Sequence, residues 1–229
     1  MQDGGSIKKH FDEIAPVYDE YKRKNSYYYS SLKTLLEQKI KTGTKILEIG
    51  CGTGDLLSSI NPKFGVGIDI SPEMINIARK KHPQKNLSFY AQEAENLKIE
   101  GNFDYVFLVD VIEHLYDVDK TVKEMKRVSH SKTKIIISSA NPKWEPILHL
   151  LEKLNLKMPE GPHNWINLQS LKKILNDNGF SVIEEGYRLL VPKKIPMFSE
   201  SVNSLFYKTP ILKNFGLIQF LVCRPTKDF

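Results

Sequence analysis

The chain has 229 residues, 41% apolar and 26% charged, which excludes wholesale disorder and fits one domain, since single cores stop growing at roughly 250–300 residues. No run reaches the ~18 consecutive apolar residues of a membrane span, and the polar opening lacks the apolar stretch of a secretory signal, which predicts a cytoplasmic protein. The net charge is +6, and the two cysteines, Cys51 and Cys223, are too few for a disulfide framework or a zinc cluster.

Ile7, Phe11, Ile14 and Tyr18 fall at helical spacing, with Pro16 expected to bend or end that helix. Tyr28, Leu32, Leu35, Leu36 and Ile40 form the stripe of a second helix, which stops at Thr42-Gly43. A regular alternation follows. Residues 45–49 read as a buried strand, 55–60 as a short helix, 64–70 as a strand, and 72–81 as a helix with Ser71 as N-cap and Pro72 in its first turn. Residues 87–92 and 103–109 read as strands, 118–128 as a helix and 134–139 as another buried strand. Strands alternating with helices at this pace predict a parallel sheet covered on both faces. After Ala140 the rhythm loosens. Residues 144–156 and 168–178 read as helices around a Pro/Gly loop at 158–164, and 180–185 and 217–223 as closing strands. Between those strands, residues 187–216 carry three prolines, in a connection long enough to be functional.

Glu48-Ile49-Gly50-Cys51-Gly52-Thr53-Gly54 follows directly on a predicted strand. Glycines there let the backbone turn sharply and approach a ligand. The pattern is E-x-G-x-G-x-G rather than G-x-G-x-x-G, and Asp55 stands where a dinucleotide site has its third glycine. An acid at a helix N-terminus repels a pyrophosphate, which disfavours a nicotinamide-dependent oxidoreductase. A ligand carrying an amine or a sulfonium fits Glu48 and Asp55 better. Asp69 ends the next strand, 19 residues after Gly50, the interval at which an acid accepts both hydroxyls of a ribose. Together the two signals describe a nucleoside ligand without a diphosphate.

These segments resemble the class I S-adenosylmethionine-dependent methyltransferases. ILEIGCGTG resembles their first motif, GIDIS the acidic strand-two motif, FYAQEAENL the adenine-contacting segment and FDYVFLVDVIEHL the fourth-strand motif. Phe11-Asp12-Glu13-Ile14-Ala15-Pro16-Val17-Tyr18-Asp19 is similar to the opening of the quinone-biosynthesis branch. The resemblance implies a Rossmann-like α/β fold: seven strands, mostly parallel with the last antiparallel, helices on both faces, N-terminal helices and an inserted cap before the last strand. One domain would span 1–229, with a helical cap at 1–42, the cofactor half at 43–140 and the substrate-side half at 141–229. The resemblance further implies that Glu48 and the Gly50-Cys51-Gly52 turn hold the methionine part of S-adenosylmethionine. Asp69 would bind the ribose, with Ile70 beside the adenine. Glu93, where the family usually has Asp, would reach the adenine amino group, and the Ala94 backbone would touch the ring. The Val109 carbonyl would meet the cofactor's amino group, and Tyr18 would close over it.

Methyl transfer needs an aligned nucleophile and benefits from a base. His114 and His163 are the candidates, with Asn141 pointing to the same cleft. Asp110-x-x-Glu113-His114 resembles a cluster implicated in divalent-metal binding in ubiquinone O-methyltransferases; the expectation here is no metal, with His114 facing the cofactor. The acceptor is expected to be a small, lipophilic molecule methylated at oxygen. The alternatives are a sugar, amine or carboxylate acceptor, or a cofactor-binding scaffold without catalysis. Residues 187–229 hold seven basic and two acidic groups, whereas the first 186 are nearly balanced. The apolar and basic residues Lys193, Lys194, Met197, Phe198, Leu205, Phe206, Lys208, Ile211 and Lys213 read either as a plain cap or as a lid with peripheral contact to an anionic membrane. No nucleic-acid partner is expected, since no packed basic run is interleaved with aromatics.

Overall fold

The computed structural model describes residues 4–154, 156–159, 161, 163–194, 199, 202–203 and 212–226. Helices α1 (Gly4–Lys24) and α2 (Ser26–Lys39) precede an alternation of β1 (Lys45–Ile49), α3 (Asp55–Ser59), β2 (Phe64–Asp69), α4 (Pro72–Lys81), β3 (Leu87–Ala91), β4 (Phe103–Val109), α5 (Val118–Arg127) and β5 (Ser129–Ala140). Then come α6 (Glu145–Lys153), α7 (Leu168–Asp177), β6 (Phe180–Arg188) and β7 (Ile218–Pro225). The seven strands form one sheet in the order β3-β2-β1-β4-β5-β7-β6. Pairs among β1 to β5 are parallel, and β7 runs antiparallel to both β5 and β6. This is the expected seven-stranded architecture.

Near-continuous apolar runs make β1 and β4 buried on both faces. One face is covered by Val122 and Met125 of α5 and by Leu171 and Leu175 of α7, which pack with Val106, Leu108, Ile135 and Ile137. On the other face Leu32, Leu35 and Leu36 of α2, with Ile75 and Ala78 of α4, pack with Ile46, Phe107, Ile136 and Val222. Strand order reverses at β1, which lies between β2 and β4. A crevice therefore opens at the carboxyl ends of β1 and β4.

Of the two outcomes expected at Pro16, a bend or an end, the helix does not end: α1 runs on through it. Proline removes one helical hydrogen bond. Anchors on both sides of Pro16 offset that loss. Ser71 Oγ donates to Asp12 at 2.6 Å, while Asp19 accepts from Thr53 Oγ1 at 2.7 Å and from Lys81 at 2.6 Å. Lys22 pairs with Asp55 at 3.0 Å. These bonds lay α1 across the crevice. Helix α4 starts as expected, with Ser71 Oγ accepting from the Met74 amide.

Strands β5 and β6 are longer than the sequence suggests, and α6 is shorter, preceded by a 3-10 turn at Pro142–Trp144. The connection from β6 to β7 folds back on itself where described: Asn203 Oδ1 accepts from the amides of Leu190 and Val191. The side chains nominated for a lid at Met197, Phe198, Leu205, Phe206, Lys208, Ile211 and Lys213 lie outside the described residues. Among the described residues no helix is long and apolar enough to cross a membrane.

Candidate active site

The site begins where β1 ends. Ile49 sits between Ile68 of β2 and Leu108 of β4. The chain then turns through Gly50 at φ +74° and Gly52 at φ +49°, left-handed conformations that side chains resist. The amides of Gly50 and Cys51 both donate to the Ile68 carbonyl at 2.8 Å, pinning the turn to β2. A Cβ on Gly50 would lie 2.1 Å from Val111 Cγ2, so this turn is pressed against the chain leaving β4. Below it, buried Glu48 accepts from the Leu57 amide at 3.1 Å. Burial pushes its carboxyl well above the usual range, opposed by the nearby Lys22 ammonium. Burial also raises the Cys51 thiol, which makes it wall rather than nucleophile.

Asp69 closes β2. Its Oδ2 accepts from the Gly52 amide at 2.8 Å and its Oδ1 from the Ser71 amide at 2.9 Å. Burial raises the carboxyl to about 6, against the pull of these bonds. Each oxygen keeps a further acceptor site. Asp69 lines a cavity of about 670 Å³ together with Gly50, Gly52, Ile70, Ala94 and Val109, roofed by Ile7, Phe11 and Tyr18 of α1. A Cβ on Gly52 would meet the Tyr18 ring at 3.1 Å.

Glu93 is placed differently from expectation. It is exposed, outside the cavity lining, and accepts from the Tyr116 hydroxyl at 3.3 Å. The acid of this segment that lines the cavity is buried Glu95, which accepts from the Tyr116 amide at 3.1 Å and whose carboxyl is raised by burial. Gln92 also lines the cavity.

A second, larger cavity of about 1320 Å³ shares Phe11, Tyr18, Gly50, Val109, Asp110 and His114 with the first. One wall is apolar, made by Leu148, Leu151, Leu156 and Met158. Facing groups include Tyr21, Tyr28, Tyr29, Glu48, Cys51 and Glu113. Asp110, at φ +54°, receives the Tyr28 hydroxyl at 2.9 Å from each of its oxygens. Burial raises Asp110 to about 6, and burial together with the Asp110 charge raises Glu113 to about 8. Glu113 Oε2 is buried with no hydrogen-bond partner among the described residues. Lys157 lines the same cavity, and burial lowers its ammonium to about 8.

His114 lines both cavities, with the Phe11 ring edge-on at 5.2 Å. His163 lines neither. Its Nδ1 faces the Gly161 carbonyl at 3.0 Å, and its ring packs edge-on against Trp165 at 5.1 Å and lies 6.2 Å from that of His114. Asn141 is a brace rather than a cleft residue: its amide donates to the carbonyls of Asn214 and Gly216 and its Oδ1 accepts from the Lys143 amide. Among the described residues, no three His, Cys, Asp or Glu side chains group in a way that could hold a metal ion.

The donor set fits an adenosyl ligand. The glycine turn leaves no room for a side chain, a buried carboxylate with spare acceptor capacity ends β2, and among the described residues no Lys or Arg lines the smaller cavity. Comparison with known proteins agrees. Residues 21–185 match the family model described as a methyltransferase domain, and the chain belongs to that family. The curated relatives that it resembles include methyltransferases of quinone biosynthesis. It is 25% identical over 203 residues to the demethylmenaquinone methyltransferase of Staphylococcus saprophyticus, covering 76% of this chain and 87% of that one. It is 29% identical over 125 residues to the malonyl-[acyl-carrier protein] O-methyltransferase of Bacillus anthracis, covering 52% of this chain. The match spans 46% of that protein's length, about half. Among solved structures, a chain from the complex of a methyltransferase activator with a methyltransferase from Haloferax volcanii superposes with a TM-score of 0.75 at 17% identity, covering 98% of this chain and 99% of that one.

Proposed function

We propose that the chain methylates an oxygen of a small, lipophilic acceptor. The observation that carries this reading is the pair of cavities meeting at His114. The smaller suits the adenosyl group and the larger, with its leucine wall, an apolar acceptor. When bound, S-adenosylmethionine supplies a methyl group activated by its sulfonium. Glu48 and the Gly50-Cys51-Gly52 turn would hold the methionine part, Asp69 the ribose, Ile70 and Ala94 the adenine, and the Val109 carbonyl the amino group. Tyr18 would cover the donor. The adenine amino group is better met from Gln92 or Glu95 than from Glu93. Relatives named as O-methyltransferases support an oxygen nucleophile, and the one named for demethylmenaquinone supports an apolar body.

His114 is the candidate base, because it reaches both cavities while His163 lines neither. It would accept the acceptor's hydroxyl proton, and Phe11 would hold its ring in place. His114→Gln is expected to lower turnover ~10²–10⁴-fold with donor affinity unchanged, measured with labelled S-adenosylmethionine on a lipid extract and by calorimetry. Turnover equal to wild type would remove His114 as base, and absence of donor binding would remove the whole reading. Chelation is expected to leave turnover intact. Loss in EDTA, restored by Mg²⁺, would instead assign a metal role to Asp110, Glu113 and His114.

A further inference from the structure

The two N-terminal helices are fastened to the fold in different ways. Helix α2 is held by apolar packing: Leu32, Leu35 and Leu36 are fully buried and join the core on one face of the sheet. Helix α1 buries only Ile7 and Ala15 along its 21 residues, and neither joins that core or the one on the other face. The bonds that hold α1 are polar. Lys81 of α4 reaches Asp19 at 2.6 Å and Asp55 at 2.7 Å, and Asp55 also takes Lys22 at 3.0 Å. The side chains of Lys81, Asp19 and Asp55 are each about a third exposed, so salt screens these pairs. Nearer the start of the helix, His10 Nε2 lies 3.1 Å from the Pro159 carbonyl. A single residue, Asn25, joins α1 to α2. At φ −110° and ψ 28° it departs from helical dihedrals, which makes it the place where one helix can turn against the other.

Yet α1 is a wall of both cavities. Ile7, Phe11 and Tyr18 face the smaller one, and Phe11, Tyr18, Tyr21 and Lys22 the larger. An element held by part-exposed polar bonds rather than by buried apolar area belongs to the portion of a fold that opens most readily. We propose that α1 is a hinged cover: it swings about Asn25 to admit and release the donor, and its closure on the donor completes the wall of the larger cavity. This rests on the methyl-transfer reading. A donor in the smaller cavity would touch Ile7, Phe11 and Tyr18 together only while α1 is shut, so its binding shifts α1 toward the closed position. The Lys81 pairs supply the part of closure that does not depend on the donor.

The test follows amide exchange of the full chain by mass spectrometry, with and without S-adenosylhomocysteine. In the free protein, residues 8–24 are expected to exchange at least about tenfold faster than residues 30–39. Exchange in α1 is expected to quicken further at ~1 M salt, where screening acts within about 3 Å. Saturating S-adenosylhomocysteine is expected to slow exchange in α1 by at least about tenfold and to change α2 little. Lys81 lines neither cavity, and Lys81→Met is expected to raise the dissociation rate of S-adenosylhomocysteine about 3–10-fold, the effect of losing two part-exposed ion pairs. Lys81→Arg is expected to stay near wild type, and Asp19→Asn to act in the same direction as Lys81→Met. Melting should move little in all three, because both residues lie outside the two cores. A helix that merely frays at its end would leave the dissociation rate unchanged. The hinged cover is overturned, with the donor site left standing, by any of three results: α1 as protected as α2 in the free protein, exchange in α1 indifferent to S-adenosylhomocysteine, or wild-type dissociation in both Lys81→Met and Asp19→Asn. Failure of S-adenosylhomocysteine to bind the wild type overturns the donor reading and the cover with it.

Discussion

Alanine at Gly50 is expected to abolish most donor binding and to lower the melting temperature by roughly 4–20 °C, the shift that ~2–5 kcal/mol produces in a chain of this size. Two costs add. The residue sits at φ +74°, where a Cβ crowds its own carbonyl at roughly 1–2 kcal/mol. The new Cβ would also lie 2.1 Å from Val111 Cγ2 and 2.9 Å from Cγ1, an overlap that must move backbone at ~1–3 kcal/mol. Relief can come from displacing Val111, but that residue follows Asp110, and its carbonyl accepts the His114 amide at 2.9 Å. The damage therefore spreads from the glycine turn to residues that line both cavities. Val111→Ala in the Gly50→Ala background is expected to recover the overlap cost and not the conformational one. Calorimetry for affinity and scanning calorimetry for stability check both. A Gly50→Ala protein that melts and binds like wild type would show that the close approach of β1 and β4 ends is not needed.

The donor half was readable in the sequence because its signals are local. A strand ending in glycines, an acid closing the next strand and a Ser-Pro helix start are each fixed within a few residues, and each took the predicted form. The segment after β3 was not readable in the same way. β3 ends at Ala91, where period-two alternation stops, so the side chains of Glu93, Ala94 and Glu95 do not follow a strand pattern. The family position points to Glu93, yet Ala94 and Glu95 are both buried while Glu93 is exposed.

The larger cavity depends on contacts distant in sequence. Tyr28 reads as part of an α2 stripe, and only the packing of α2 near the end of β4 brings its hydroxyl to Asp110, 82 residues away. Lys157 sits in a stretch after α6 with no periodicity to mark it, and only the fold places it in the wall of the larger cavity. In sequence His114 is the first candidate base and His163, in a Pro/Gly loop, the second. The fold separates them, since one lines both cavities and the other turns to a loop carbonyl. Pro16 does not end α1 for the same reason: the anchors that hold α1 straddle it and come from α3, α4 and the glycine turn.

Asp69→Asn is expected to weaken S-adenosylmethionine by ~1.5–3 kcal/mol, roughly 10–150-fold, the loss for hydrogen bonds to a charged acceptor. The side chain keeps its shape, but the amide offers one acceptor oxygen where the carboxylate offers two. It must also place an NH₂ against the amide of Gly52 or Ser71, both of which now donate. The pH dependence distinguishes this role from packing. Burial raises the Asp69 carboxyl to about 6, above the ~3.9 of an unfolded chain, so ionising it opposes folding. Its contribution to stability is fully present below the unfolded value and is lost as pH rises through about 6. Donor affinity runs the other way. Ribose hydroxyls donate to the ionised carboxylate, so affinity is expected to climb as pH rises through about 6 and to level off above neutrality. In Asp69→Asn both dependences should flatten, leaving affinity uniformly weak and stability without this group's fall between pH 4 and 7. Calorimetric titrations at pH 5, 6, 7 and 8 resolve the two curves. Wild-type affinity that does not change across that range, or an Asp69→Asn protein that keeps the wild-type slope, would move ribose recognition away from the end of β2.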